Sequence, residues 1–121
     1  MLIRISENSN VPIYEQIIRQ IKEAIIQREL MADEALPSIR GLAKELQISV
    51  ITTKRAYEEL EKEGLIYSIP GRGFFVSCKK VEMLKEKKLQ MIEADLTTVI
   101  EEGKRAGLTM EDICSMVEEL W

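Results

Sequence analysis

Anion binding is the chemistry that the residue types and spacing of this chain best support. Ser38 precedes Arg40 by two residues, Ser49 precedes Lys54 and Arg55 by five and six, and Arg72 stands between Gly71 and Gly73. A serine that caps a helix leaves the first backbone N–H groups pointing outward as an anion site. An arginine beside it can clamp a phosphate, or reach a guanine edge, through its planar fork. Two flanking glycines allow positive φ and let the backbone at Arg72 approach another surface closely. Catalysis finds no comparable set. The chain has no histidine, and Cys78 and Cys114 stand apart, outside any metal-ligand spacing. No nucleophile is paired with a base, so no enzyme, no metal and no cofactor are expected. Gly71-Arg72-Gly73 is not a nucleotide loop either, since no strand–helix unit or trailing acidic ribose ligand accompanies it.

Composition sets the frame for these residues. The chain has 121 residues, 45% hydrophobic and 31% charged, which suits one compact domain plus an appendage. A chain of this size buries roughly two thirds of its unfolded surface and needs no disulfide or metal staple. The unpaired cysteines fit a reducing cytoplasm. No apolar run approaches the ~20 residues that cross a bilayer, and the first residues do not read as a signal peptide. No membrane partner is therefore expected, and the protein stays in the compartment where it is made. Few aromatic residues argue against a stacking platform for single strands.

The net charge of −4 by itself opposes a phosphate-bearing partner, but its distribution does not. Residues 36–57 hold four basic side chains against one acid, residues 68–80 hold three and no acid, and residues 81–121 hold five against ten. The acidity lies in the tail, and the two basic stretches coincide with the candidate anion sites.

The elements that must position these residues follow from periodicity and punctuation. Leu2 to Ile5 alternates apolar and polar and reads as a short edge strand. Ile13, Ile17, Ile18, Ile21, Ala24 and Ile25 recur at helical spacing and predict a helix from about Pro12 to residue 28. A spacer, residues 29–37, ends in Pro37. Ser38 then caps a short helix with Ile39, Leu42, Ala43 and Leu46 on one face, and Ser49 caps a third with Thr53, Ala56, Tyr57 and Leu60 inward. Gly64 takes the left-handed position at its end. Two helices parted by so tight a turn have the local grammar of a helix-turn-helix. Leu65-Ile66-Tyr67 and Phe74-Phe75-Val76 bracket a glycine-rich loop and predict a β-hairpin, which after a helix-turn-helix is a wing. In the tail, Leu89, Ile92, Leu96, Val99 and Gly103 follow alternating steps of three and four, an apolar seam on a long helix. Gly107 ends it. Thr109 and Asp112 form a capping box for a last helix carrying Ile113, Met116, Val117 and Leu120 on one face. Met83, Met91, Met110 and Met116 read as core filler rather than ligands. The expected fold is mainly α with a small β-hairpin wing: a winged helix-turn-helix over residues 1–78 and a helical tail over residues 79–121.

The ordered set Leu36-Pro37-Ser38-Ile39-Arg40, Leu42-Ala43, Ser49, Glu63-Gly64-Leu65-Ile66 and Gly71-Arg72-Gly73-Phe74-Phe75-Val76 resembles the winged helix-turn-helix of the GntR family of bacterial transcription regulators. The short tail, Pro12-Ile13-Tyr14-Glu15-Gln16 and Lys54-Arg55-Ala56-Tyr57 are similar to its YtrA-type subfamily. The resemblance implies a repressor of transcription, a double-stranded operator as partner, dimerisation through the tail and a link to transporter operons. It names no small-molecule effector, and no residue cluster here does so either.

Each candidate has a plainer reading beside the functional one. Ser38 and Arg40 are a DNA contact or a cap with a solvated arginine paired to Glu45. Ser49, Val50, Ile51, Thr52 and Lys54 lie at the end of the third helix that would enter a major groove. Val50 cannot hydrogen-bond a base and has only a thymine methyl to contact; ordinary packing at a helix start is the alternative for Val50 and Ile51. Family members often carry arginine at the positions of Val50 and Lys54, and an aliphatic residue at that of Thr53. Arg55 is a phosphate contact or simply solvated. Gly71, Arg72 and Gly73 are a wing tip for a minor groove or a plain hairpin loop. Leu89, Ile92, Leu96, Val99, Ile113 and Val117 are the dimerisation candidates, packing across a two-fold axis or back on the winged domain. The competing function is a winged helix that binds protein and not DNA.

Overall fold

The computed structural model describes residues 1–121. Its elements in order are α1 (Ile13–Ile26), α2 (Ile39–Leu46), α3 (Val50–Lys62), β1 (Ile66–Ile69), β2 (Gly73–Val76), α4 (Val81–Arg105) and α5 (Met110–Leu120). They fall into two compact units, Met1–Leu84 and Lys85–Trp121. Val81 is buried in the core of the first unit and Leu84 packs against it, so that unit extends past residue 78 through the first turn of α4.

The first unit is built on one apolar cluster. Ile17, Ile21, Ala24 and Ile25 of α1, Leu42 of α2, and Ala56, Tyr57 and Leu60 of α3 meet Leu65, Ile66 and Val76 beneath the hairpin. These α1 and α3 positions recur every three to four residues, so each helix buries one stripe. Thr53 is fully buried on the same face of α3. Its hydroxyl donates to the Ser49 carbonyl at 3.2 Å, which makes burial of the oxygen tolerable.

β1 and β2 pair antiparallel with Ile66 opposite Val76 and Ile69 opposite Gly73. The preceding spacer is not a plain linker. Asp33 N–H donates to the Val76 carbonyl, Val76 N–H to the Glu34 carbonyl and Leu36 N–H to the Phe74 carbonyl. These bonds place Ala35 opposite Phe75 along the other edge of β2. Tyr67 O–H donates to Asp33 Oδ1 at 2.7 Å and ties β1 to the same segment.

The N-terminal residues do not form the expected strand. Arg4 N–H donates to Gln20 Oε1 and Gln20 Nε2 returns to the Arg4 carbonyl; Gln16 does the same for Ser6 and also donates to the Val11 carbonyl. A primary amide offers one acceptor and two donors, so two glutamines of α1 satisfy the backbone that a neighbouring strand would have. Gln16 is 2% exposed, a cost offset by complete hydrogen bonding.

The second unit is a helical hairpin. Gly107 takes φ +81°, and Leu108 N–H returns to the Gly103 carbonyl. The capping box forms: Asp112 N–H donates to Thr109 Oγ1 and Thr109 N–H to Asp112 Oδ2. Accepting that backbone bond holds the Asp112 carboxyl below its usual range. Gly103 is where the helices meet, with the Ile113 and Leu108 side chains against it. Ile113, expected to serve dimerisation, is thus engaged inside its own hairpin. Met83, Met91, Met110 and Met116 are all at least half exposed, so they are not core filler. Met91, Met110 and Met116 lie on the two-helix unit, which has no second layer to cover them.

Candidate nucleic-acid interface

Three exposed tips of the first unit carry the predicted residues. The first is the start of α2. Ser38 has extended backbone, and its Oγ accepts from Gly41 N–H at 2.9 Å. A Cβ on Gly41 would lie 2.8 Å from that oxygen, so a larger residue here would shift the Ser38 side chain. Arg40 is exposed and forms no ion pair with Glu45 or another acid. Its guanidinium is therefore free to meet an anion.

The second tip is the start of α3. Ser49 Oγ accepts from Thr52 N–H at 3.1 Å and donates to Thr52 Oγ1 at 2.8 Å. Beyond the cap, Ile51 is 80% exposed and Val50 43%; packing at a helix start does not account for them. One turn on, Lys54 pairs with Glu58 at 3.7 Å, with both side chains in solvent. Such a pair contributes roughly 0–1 kcal/mol and exchanges readily for a phosphate.

Arg55 is neither purely solvated nor simply extended. Its guanidinium carbon lies 3.8 Å from the centroid of the Tyr14 ring. The stack joins α3 to the start of α1 and occupies the face of the guanidinium, leaving its N–H edge to donate. An exposed cation–π contact contributes about 0.5–1 kcal/mol. A double-mutant cycle of Tyr14→Leu and Arg55→Ala in urea denaturation is expected to return a coupling of that size, with Tyr14→Phe near wild type. A coupling of zero contradicts the stack.

Between α2 and α3 the chain turns on Gln47, at φ 56° and ψ 47°, and Ile48 N–H reaches back to the Ala43 carbonyl. This left-handed helix end normally selects glycine. Replacing the exposed Gln47 by glycine relieves that strain and is expected to raise the unfolding free energy by up to about 1 kcal/mol, as read from the urea midpoint. A fall in the midpoint contradicts this.

The third tip is the wing. Arg72 N–H closes the turn onto the Ile69 carbonyl, and Gly71 and Gly73 take φ +76° and +108°. Nothing lies within 4 Å of a Cβ built on either glycine, so conformation and not crowding requires them. The Arg72 side chain is exposed at the apex.

Tyr57 holds the tips in register. Buried within α3, it donates its hydroxyl to the Pro37 carbonyl at 2.7 Å, beside the Ser38 cap. The same ring meets Phe74, next to Gly73, edge-on at 5.0 Å. Burial, with the Glu45 charge second, pushes the phenol far above its ordinary range, so it remains a neutral donor. Glu61 adds a second tie from α3 to the hairpin by accepting from Ser68 N–H and Oγ. Sequence reasoning placed Tyr57 in the core and missed this positioning role, because its partners lie twenty residues before it and seventeen after it.

A helix-turn-helix whose second helix presents its capped start, beside a hairpin with an arginine apex, defines a winged-helix DNA-binding protein. The chain belongs to the gntR family of bacterial regulatory proteins, whose pattern matches residues 13–76. It is 36% identical over 119 residues to the HTH-type transcriptional repressor YtrA of Bacillus subtilis (strain 168), covering 98% of this chain and 92% of that one. The fold superposes on the crystal structure of a transcriptional regulator from Oenococcus oeni with a TM-score of 0.76 and 31% identity, covering 96% of each chain. It also matches AraR(DBD) in complex with operator ORX1, with a TM-score of 0.54 and 32% identity, over 60% of this chain and 87% of that one. The protein is thus a DNA-binding transcription regulator and not an enzyme. No helix is long and apolar enough to cross a membrane.

Proposed function

We propose that the protein is a repressor that binds an inverted-repeat operator as a homodimer. In each half-site, Ser38 and Arg40 clamp backbone phosphate, the start of α3 enters the major groove, and Arg72 reaches the minor groove. The observation that carries this reading is that the caps at Ser38 and Ser49 and the Arg72 turn all lie exposed on elements tied together by Tyr57. Lys54, Arg55 and Arg72 supply phosphate neutralisation. The tail supports dimerisation, because Leu89, Ile92, Leu96, Val99 and Val117 stay between 47% and 66% exposed in a single chain. A protein acting on the bacterial chromosome works in the cytoplasm. Similarity to the YtrA type suggests a transporter operon as the target.

Fluorescence anisotropy of a duplex from the gene's own promoter region, titrated across salt concentrations, tests the reading. Binding is expected to weaken linearly in log[salt] with a slope near −0.9 for each phosphate contacted. A slope near zero, or no binding at low salt, favours a winged helix that binds protein instead. At fixed salt, Arg40→Ala removes a charge-assisted phosphate contact and is expected to cost about 1.5–3 kcal/mol, roughly ten- to 150-fold in Kd. Unchanged affinity removes Arg40 from the interface.

A further inference from the structure

We infer that the operator half-site is read in part through thymine methyl groups, with Ile51 and Val50 as the specificity-determining side chains. This deepens the DNA-binding reading above and rests on it. The first turn of α3 contains Ser49, Val50, Ile51, Thr52 and Thr53, none of which can make the bidentate hydrogen bonds by which Arg, Asn or Gln read a base. Ser49 Oγ donates to Thr52 Oγ1 and accepts from Thr52 N–H, and Thr53 is buried on the Ser49 carbonyl, so only the Thr52 O–H is left as a single-point donor. What the tip presents to a groove is therefore chiefly two branched hydrocarbon side chains, one of them 80% exposed.

The only apolar group on the base edges of the major groove is the C5 methyl of thymine. Ile51 set over it removes hydrocarbon from water on both sides. Set over a guanine, adenine or cytosine edge, it strips water from polar atoms and gives nothing back. The discrimination therefore works in both directions. Charge selects DNA over a protein partner as occupant of this patch. Lys54 follows it on the same helix, Arg55 stands four residues after Ile51 and so shares its face, and no acid precedes Glu58 on α3.

The test starts from duplexes selected by the intact protein from a randomised pool. Enriched half-sites are expected to hold thymine at a fixed position or positions. Replacing each such thymine by deoxyuridine removes the methyl and keeps every hydrogen-bonding group. It is expected to weaken binding about fourfold per position, as one buried methyl-sized group does. Ile51→Ala, a change at an exposed position that leaves the thermal midpoint in place, is expected to bind the thymine and deoxyuridine duplexes equally. Selected sites without fixed thymine, or equal binding of both duplexes by the wild-type protein, overturn the inference while leaving the DNA-binding reading intact. A pool in which no duplex is enriched overturns both.

Discussion

Tyr57→Ala is expected to lower the unfolding free energy by about 3–5 kcal/mol, the usual cost of deleting a buried aromatic ring. That is a large part of the total of roughly 5–15 kcal/mol that holds a domain of this kind folded. Three losses coincide. The ring leaves a cavity in the core of the first unit, where Tyr57 is fully buried. Its edge-on contact with Phe74 disappears, and with it the link to the base of the wing. The Pro37 carbonyl loses its 2.7 Å donor beside the Ser38 cap. Tyr57→Phe isolates the last of these and is expected to cost about 1 kcal/mol. It also changes the response to alkali. Burial raises the phenol above its ordinary 10.0, so folding favours the protonated form. The phenol's contribution is intact below pH 10 and is lost as pH rises beyond it, and Tyr57→Phe blunts that fall. Urea denaturation at neutral and alkaline pH measures both effects. A change in midpoint for Tyr57→Ala no larger than for an exposed substitution contradicts the assignment.

If the proposed dimer is built on the tail, Leu96→Lys is expected to convert it to monomers and to weaken binding to a two-half-site operator by about 10²–10⁴. Leu96 sits at the middle of a stripe with Leu89, Ile92 and Val99, each about half exposed or more. Covering that stripe with a second copy removes it from water, while a lysine there places a charge in the seam. Once the two winged units are no longer joined, the second half-site stops being an intramolecular encounter, and the lost effective concentration sets the size of the effect. The first unit has its own core, so its urea midpoint is expected to stay unchanged. Sedimentation equilibrium and anisotropy on full and half operators provide the readout. A variant that remains dimeric, or retains full affinity, contradicts a dimer built on this stripe.

What the sequence disclosed about these elements was local. The caps at Ser38, Ser49 and Thr109 each close within three residues, and Gly64 takes the left-handed position after α3 at φ +78°. Such features are legible because residue type and spacing are the whole of their physics. Less visible were those that depend on distant partners. Gln16 and Gln20 take over the backbone of the N-terminal segment, and residues 33–36 pair along β2, although neither segment carries a mark of it. Arg55 lies on Tyr14 across forty-one positions of sequence. Gln47 adopts a left-handed conformation that its side chain does not advertise. The same division holds at the candidate site: the cationic tips were readable one by one, but the contacts of Tyr57 with Pro37 and Phe74 that tie their elements together were not.

Amide chemical-shift mapping by NMR, during titration of the intact protein with an operator duplex, tests the DNA-facing surface most directly. The perturbed amides are expected to cluster at residues 38–41, 49–55 and 71–73, with the core of α1 and the second unit little changed beyond the effect of slower tumbling. Perturbations that spare all three tips, or that centre on the second unit, contradict the proposed interface.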